Sequence, residues 1–229
     1  MERPSHKSEA AKNRKAGEVP RRTQKKERSH RRILDAAKEV FFRDGFMGAN
    51  LDAVAEKAGV AKGTLYRYFD SKAELYVAIL AHNGDIFEAK LRDVLSPDLP
   101  PMEKLRRASH FYFRHYVENP DYFQIFWAIE NQSVIGELPA SMVEQVTEIW
   151  ERNLSVLAQI VEDGVRDGAF RDYDPWETAN ILWTLANGII QTEHSGPRRR
   201  VRRRPLDRVF EDAIDLVLRG LANPDDEPS

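Results

Sequence analysis

The 229-residue sequence contains no cysteine. This absence excludes a disulfide framework, a thiolate metal site and a cysteine nucleophile. The sequence also has no apolar run that approaches the roughly 18–20 residues needed to span a bilayer, and its polar N-terminus lacks the apolar core of a secretory signal. We therefore expect a cytoplasmic protein that makes no contact with a membrane.

Acidic and basic residues are unevenly distributed, although the formal net charge is only −2. Residues 1–80 carry 18 Lys and Arg against 11 Asp and Glu, a net +7, whereas residues 81–229 carry 17 against 26, a net −9. The basic first third is the candidate nucleic-acid-binding part. Six arginines of the acidic remainder lie together in Arg198–Arg204, and their mutual repulsion predicts an exposed, disordered loop.

The N-terminal part of the sequence predicts a mobile arm followed by three helices. Residues 1–28 are rich in charged residues and have almost no large apolar residue, so they cannot offset the entropy of ordering. Apolar residues then recur at helical spacing up to Gly45. A second helix is expected between Asn50, an N-cap residue, and Gly59, and a third over Ala61–Phe69.

The rest of the sequence also predicts helices, and it contains no strand pattern. A long helix capped by Ser71 is expected to run from Lys72 toward Leu95, with a proline-rich break after it. Further helices are expected over Met102–Glu118, Pro120–Asn131, Leu138–Asp167, Pro175–Glu193 and Pro205–Leu221. The predicted fold class is therefore all-α, with domains at 29–75 and 76–222 and a fraying tail at 223–229.

Residues 58–69 carry the pattern that points to function. Two short helices joined by a tight turn containing Gly59 make a helix-turn-helix, whose second helix has the size that enters a DNA major groove. The small core that fixes the angle between these helices is expected to contain Val54, Val60, Leu65 and Phe69. The opposite face then offers polar, basic and aromatic side chains, and Gly63 leaves the backbone open to a phosphate.

This segment resembles the DNA-binding region of the tetracycline-repressor (TetR) family. The resemblance covers about 45 residues, and it includes the stretch Ile33–Phe46 before the motif and Ser71–Leu75 after it. It implies an N-terminal three-helix helix-turn-helix DNA-binding domain joined to a C-terminal helical effector and dimerisation domain. It also implies phosphate contacts by Thr64, Tyr66 and Lys72, and groove-facing side chains at Arg67 and Tyr68.

The candidate DNA-binding residues are Asn50, Lys62, Gly63, Thr64, Tyr66, Arg67, Tyr68 and Lys72. The chain departs from the family's pattern at Asn50, where many members have Thr, and an anionic Asp52 would repel phosphates if it faced them. Alternatively, Tyr66 and Tyr68 merely pack the domain. The basic residues before the first helix either reach the DNA backbone or minor groove or form a solvated tail.

Aromatic residues are dense on the predicted helices between residues 102 and 193, and most of them must be core. In the TetR family this domain encloses a ligand cavity, which implies an apolar wall and a lipophilic effector, either fatty-acyl or aromatic. The candidate ligand-binding residues are Tyr112, Tyr116, Phe123, Trp127, Trp150, Leu154 and Trp183, with Asn187 as a polar contact. Phe87 and Leu91, on the long helix that belongs to both domains, are candidate relay residues.

The resemblance further implies a homodimer formed through the last two helices, which would bind a near-palindromic double-stranded DNA operator. We expect a transcriptional repressor that a lipophilic effector releases from the operator. The alternative is a ligand-independent architectural or constitutive DNA-binding dimer with a solid core. A cavity on the order of several hundred cubic ångströms would favour the sensor.

An enzyme is the rival class, and the sequence gives it little support. His110 and His115 lie five residues apart, which is not the i, i+4 spacing that brings two metal ligands to one helix face. The sequence has no phosphate-cradling glycine loop, no nucleophile elbow and no distinctive pair of carboxylates. We therefore expect neither catalysis nor a metal or other cofactor.

Overall fold

The computed structural model describes residues 21–130 and 138–224, except for the side chains of Arg21, Arg22 and Glu130. In these ranges the only extended pairing is one isolated bridge between Phe170 and Ala222. The described helices are α1 Arg21–Gly48, α2 Leu51–Ala58, α3 Lys62–Tyr66, α4 Lys72–Val94, α5 Pro101–Glu118, α6 Pro120–Glu130, α7 Ala140–Arg166, α8 Pro175–His194, α9 Gly196–Val201 and α10 Leu206–Leu221. The predicted all-α class is confirmed.

The chain divides into two compact units, Met1–Leu75 and Tyr76–Ser229. The first unit contains α1 to α3 and the first turn of α4, and the second contains the rest of α4 and all later helices. Helix α4 therefore belongs to both units.

The core of the first unit joins one buried apolar side chain from each of its three helices. Ile33 of α1, Val54 of α2 and Leu65 of α3 are all fully buried. Gly59 ends α2 in the left-handed conformation, with φ 62°, which a residue without Cβ adopts at little cost. This turn leads the chain from α2 directly into α3 and so produces the predicted helix-turn-helix.

The core of the second unit lies between α5, α7, α8 and α10, with α5 and α8 each packed against the other three. Helix α10 illustrates how the sequence specifies this packing, because its buried side chains recur at helical spacing on one face. These side chains are Phe210, Ile214, Leu218 and Leu221. Burying each of them stabilises the fold by about 1.5–3 kcal/mol relative to exposure.

Helix α1 begins at Arg21, earlier than the sequence analysis predicts, so residues 21–28 do not form a disordered arm. These residues include good helix formers and no Gly or Pro, and extending an existing helix needs no new nucleation. The backbone breaks at Gly45, with φ 66°, before the helix ends at Gly48. The rest of the predicted arm, residues 1–20, lies outside the described residues.

Helix α3 is shorter than predicted, because it ends at Tyr66 rather than at Phe69. The N–H of Tyr68 donates to the carbonyl of Leu65 at 2.9 Å, which is the tighter i to i+3 pattern that commonly closes a helix. Arg67 and Tyr68 therefore follow the helix in a turn. The predicted extension of the sixth helix to Asn131 falls outside the described residues.

The arginine run is not the disordered loop that the sequence analysis predicts. Helix α9 spans Gly196–Val201, and Arg202 after it has a side chain only 15% exposed, paired with Glu193 at 2.5 Å. Arg202 also donates to the hydroxyl of Thr192 at 3.1 Å. These ion-pair and hydrogen-bond partners offset the repulsion among the arginines, which the charge count alone overestimates.

The C-terminal tail is ordered for slightly longer than predicted. The backbone N–H of Asn223 donates to the carbonyl of Ala169 at 3.0 Å, and its side-chain amide donates to the carbonyl of Gly168 at 3.0 Å. Fraying at Asn223 is therefore not observed, because these bonds hold the residue. The remainder of the predicted tail, residues 225–229, lies outside the described residues.

Candidate nucleic-acid interface and ligand cavity

The outer face of the helix-turn-helix presents polar and aromatic side chains. Leu65 and Phe69 are buried and hold α3 and its following turn on the core, whereas Tyr66 and Arg67 point into solvent. Apart from its chain neighbours and the backbone of its own helix, no described atom lies within 4 Å of the position that a Cβ on Gly63 would occupy. The start of α3 is therefore open to close approach by the phosphate backbone of a nucleic acid.

Tyr68 is partly engaged in packing, as the alternative interpretation of this aromatic residue proposed. Its hydroxyl donates to the backbone carbonyl of Lys26 at 3.2 Å, and its ring centroid lies 6.0 Å from that of His30. The guanidinium carbon of Arg67 lies 5.8 Å from the Tyr68 ring centroid. Tyr68 thus joins the extended part of α1 to the exposed side chain of Arg67.

Asp52 does not present an uncompensated negative charge on this face. The ammonium of Lys62 contacts its carboxylate at 2.6 Å, and the hydrogen bond that Lys62 donates to Asp52 raises the pKa of Lys62. Asn50 stands before α2 as its N-cap, and its side-chain oxygen accepts from the N–H of Asp52 at 2.8 Å. A phosphate that approached Lys62 would therefore compete with Asp52 for the ammonium.

Lys72 is held at the start of α4 by the end of α1. Its ammonium donates to the carbonyls of Met47 at 3.4 Å and Ala49 at 3.3 Å, and it lies 4.7 Å from the centroid of the Phe46 ring. These contacts fix the position of the charge and leave it uncompensated by any carboxylate that the structure describes near it.

The second unit contains an apolar cavity of about 60 Å³ among α4, α5, α6, α7 and α8. Leu80, Gly84, Phe87 and Leu91 of α4 form one wall. The opposite walls contain aromatic side chains from α5, α7 and α8. These are Tyr112, Tyr116, Trp150 and Trp183.

Five of the eight predicted ligand-binding residues line this cavity: Tyr112, Tyr116, Trp150, Leu154 and Trp183. Phe123 and Trp127 do not line it, since their rings stack on each other with centroids 6.4 Å apart and Phe123 is buried core. Asn187 does not line it either, because its side-chain oxygen accepts a hydrogen bond from the hydroxyl of Tyr112. Asn187 therefore orients a wall residue instead of facing the cavity.

Hydrogen bonds fix part of the aromatic wall in one arrangement. The indole N–H of Trp183 donates to the hydroxyl of Tyr112 at 3.1 Å, which in turn donates to Asn187. Burial raises the pKa of Tyr116 and so keeps its phenol neutral. Beside it, burial and then Lys90 lower the pKa of His115, with a smaller opposing effect of Glu118.

Two fully buried polar atoms of the cavity-lining residues have no hydrogen-bond partner in the part of the chain that the structure describes. They are the indole Nε1 of Trp150 and the side-chain Oδ1 of Asn153. The amide nitrogen of Asn153 is used, since it donates to the carbonyl of Ile149 at 3.0 Å. Among the fully buried polar atoms of the cavity wall, one donor and one acceptor are therefore unused.

Both units match known family descriptions. Residues 33–79 match "Bacterial regulatory proteins, tetR family", and residues 98–191 match "Tetracyclin repressor-like, C-terminal domain". Together these matches span more than half of the chain. The chain belongs to the TetR family.

Similar proteins agree with this assignment. The transcriptional activator FasR of Mycolicibacterium smegmatis is 31% identical over 147 residues, which cover 64% of this chain and 64% of FasR. The transcriptional repressor NicS of Pseudomonas putida is 30% identical over 155 residues, which cover 66% of this chain and 70% of NicS. The crystal structure of FadR from Bacillus subtilis in complex with stearoyl-CoA matches with a TM-score of 0.67 at 20% identity, covering 84% of this chain and 99% of FadR.

As a member of the TetR family, the chain is a DNA-binding transcriptional regulator. The relatives named above are regulators rather than enzymes. Over the ranges that the structure describes, no helix combines the length and the apolar character needed to cross a bilayer.

The sequence analysis missed much of this TetR-family cavity, in particular the wall formed by α4. A signal for it was present, because Leu80, Gly84, Phe87 and Leu91 recur three or four residues apart on one helix face. Phe87 and Leu91, expected to be relay residues, line the cavity directly. Asn83 and Asn153, which also line the cavity, were missed as well. The sequence around an asparagine on a helix does not indicate whether its side chain lies in a cavity or on the surface.

Proposed function

We propose that the protein is a dimeric repressor that binds a near-palindromic operator and is released from it by a lipophilic small molecule. The observation that carries this proposal is the combination of an exposed recognition face in one unit with an apolar, incompletely hydrogen-bonded cavity in the other. The ligand must bind two states of the dimer unequally, since otherwise it could not change operator affinity.

The recognition face divides into residues that position the protein and residues that read bases. Lys62, Thr64, Tyr66 and Lys72 are proposed to contact phosphates, with the open backbone at Gly63 beside them. Arg67 is proposed to read base edges in the major groove, because its exposed guanidinium has no ion-pair partner among the described residues. Tyr68 supports Arg67, and Asn50 caps α2 instead of contacting DNA.

Repression is the direction of regulation that we propose, as in NicS. FasR, a relative of similar identity, is an activator, so both directions are compatible with this domain order. Reporter expression from a selected promoter, measured with and without the protein, separates them, and repression requires that the protein lower expression.

The effector is proposed to enter the cavity by widening it. A cavity of about 60 Å³ is well below the roughly 300–1,000 Å³ of ligand sites for drug-sized molecules. FadR holds stearoyl-CoA, so the fold that it shares with this chain accommodates a fatty-acyl compound. Movement of the half-buried aromatic side chains around Trp150 and Trp183 would supply the additional volume and would displace α4, which belongs to both units.

The dimer interface is proposed to involve exposed apolar residues of α8 and α10. Ile181 of α8 is 59% exposed and Leu216 of α10 is 71% exposed, although each helix buries its opposite face in the core. Large apolar side chains on two neighbouring helices are typical of a surface that another protein covers.

Replacing Leu216 by Glu is expected to convert the dimer to a monomer, because each partner would place a charge in an apolar interface. Analytical ultracentrifugation measures the change, and Val143→Glu, at a position 49% exposed on α7, is the matched control and should remain dimeric. Genomic fragments selected by the wild type should contain near-palindromic sites, and Leu216→Glu should bind them at least tenfold more weakly. A fully dimeric Leu216→Glu variant would contradict this interface.

The small cavity favours a second candidate function, a ligand-independent DNA-binding dimer whose aromatic unit serves only to dimerise. In that case no lipophilic compound would bind the second unit or alter operator affinity. A cavity-filled variant such as Ala186→Leu, at a wall position, tests this candidate. It would be excluded if a compound bound the wild type, failed to bind the variant and released only the wild type from a selected operator.

A further inference from the structure

The cavity of the second unit is lined entirely by uncharged side chains, as far as the described residues extend. Its polar members are amides, hydroxyls and indoles, namely Asn83, Ser109, Tyr112, Tyr116, Trp150, Asn153 and Trp183. A cavity of this kind offers hydrogen bonds but no counter-ion. An ionised ligand group placed in it would lose its hydration without gaining a partner.

The hydrogen-bonding capacity of this wall is unevenly used. Trp183 and Tyr112 satisfy each other and Asn187. Trp150 Nε1 and Asn153 Oδ1 remain unpaired, although they lie three residues apart on α7, which places them on one helix face.

Unpaired buried polar atoms destabilise the fold. Each loses its hydration without gaining a hydrogen bond, and an Ile or Leu at position 153 would avoid that loss. The amide of Asn153 is oriented by its bond to the carbonyl of Ile149 at 3.0 Å, because the opposite orientation would bring two oxygens together. Its Oδ1 is therefore the atom left without a partner among the described residues, and Asn153 belongs to the cavity wall.

We infer that the cavity takes a neutral amphiphile whose uncharged polar group accepts a hydrogen bond from Trp150 and donates one to Asn153. A carboxamide is the simplest chemical class with both functions. This inference rests on the proposed small-molecule function of the cavity, and it makes the ligand class more specific. A carboxylate, a phosphate or an ammonium belonging to the same ligand would remain outside this wall.

Three compounds of matched size test the inference: hexanamide, methyl pentyl ketone and hexanoate. The amide has an acceptor and a donor, the ketone has only an acceptor, and hexanoate is ionised at a pH of roughly 8. Ligand-observed NMR titrations of the full chain measure affinities in the weak range expected for such small compounds. Hexanoate should bind the wild type at least tenfold more weakly than hexanamide.

Two variants assign the two hydrogen bonds. Trp150→Phe keeps the aromatic contacts with Phe126 and Trp183 but removes the N–H, so it should weaken both the amide and the ketone by about tenfold. Asn153→Leu should weaken only the amide, because the ketone donates nothing. Trp127→Phe, at an indole outside the cavity wall, is the control and should leave all affinities unchanged.

The outcomes distinguish this inference from the proposed function. If hexanoate bound as tightly as hexanamide, or if Asn153→Leu weakened amide and ketone equally, the neutral hydrogen-bonding ligand class would be wrong while the cavity remained a binding site. If none of the three compounds bound the folded wild type, the cavity would not serve as a site for small amphiphiles, and the proposed ligand response would fail together with the inference.

Discussion

Replacing Arg67 by Ala is expected to lower affinity for a selected operator by about tenfold to a hundredfold and to change affinity for random duplex much less. Arg67 is exposed in the turn after α3 and has no carboxylate partner in the described residues, so its guanidinium is available to bind a base edge. A bidentate contact to guanine contributes about 1–3 kcal/mol of discrimination against other bases. Loss of a phosphate contact would instead lower affinity for every DNA sequence to a similar extent.

The matched variant for Arg67→Ala is Tyr66→Phe, which removes one exposed hydroxyl from the same surface. Because this hydroxyl is proposed to contact a phosphate, its loss should weaken both duplexes by a similar factor of a few. Fluorescence anisotropy at fixed salt gives all four affinities. Equal losses on operator and random duplex for Arg67→Ala would refute its role in reading bases.

Replacing Phe87 by Ala is expected to lower the free energy of unfolding of the second unit by about 3–5 kcal/mol. Phe87 is 5% exposed, and its ring lies 5.1 Å from the Phe111 ring and 5.1 Å from the His115 ring, measured between centroids. It also contacts Tyr112 edge-on at 5.8 Å. Truncation removes these contacts and leaves an enlarged cavity that the surrounding rings fill only in part.

Ile86→Ala is the control for Phe87→Ala, since Ile86 is adjacent in the sequence, lies on the same helix and is 38% exposed. Its replacement should cost less than about 1 kcal/mol. Chemical denaturation measures both variants. If Phe87→Ala destabilised the protein no more than Ile86→Ala, the packing around the cavity would differ from that in the structure.

The position of Phe87 also changes how the coupling between ligand and DNA must be tested. From the sequence, Phe87 is expected to transmit changes from the cavity to the helix-turn-helix without contacting the ligand itself. Because Phe87 lines the cavity, its removal alters ligand binding and coupling together. A relay role therefore requires that the coupling factor, measured by ligand titration with and without operator, fall by more than the ligand affinity does.

The helix-turn-helix was predictable because its signals are local. Gly59 at the end of α2 supplies a left-handed residue, and Val54 and Leu65 fall at positions where short helices must bury side chains. Each of these signals depends on a few neighbouring residues. Turn chemistry and spacing therefore identify the motif without knowledge of distant contacts.

The cavity was only partly predictable because its wall depends on distant contacts. Phe123 and Trp150 are both aromatic residues on amphipathic helices, but Phe123 is core and Trp150 faces the cavity. Arg202 illustrates the same limit on the surface, since it follows α9 and its partner Glu193 belongs to α8. The composition of the arginine run indicated repulsion among its guanidinium groups, whereas the folded chain places the carboxylate of Glu193 beside Arg202.

The ratio of affinities for a selected genomic operator and for a scrambled duplex of equal length is the most direct test of sequence-specific regulation by this protein. It should be measured with the wild-type protein at physiological salt, because phosphate contacts alone give strong binding to any sequence at low salt. Sequence-specific binding predicts a ratio of roughly a thousandfold or more. A ratio close to one would contradict it.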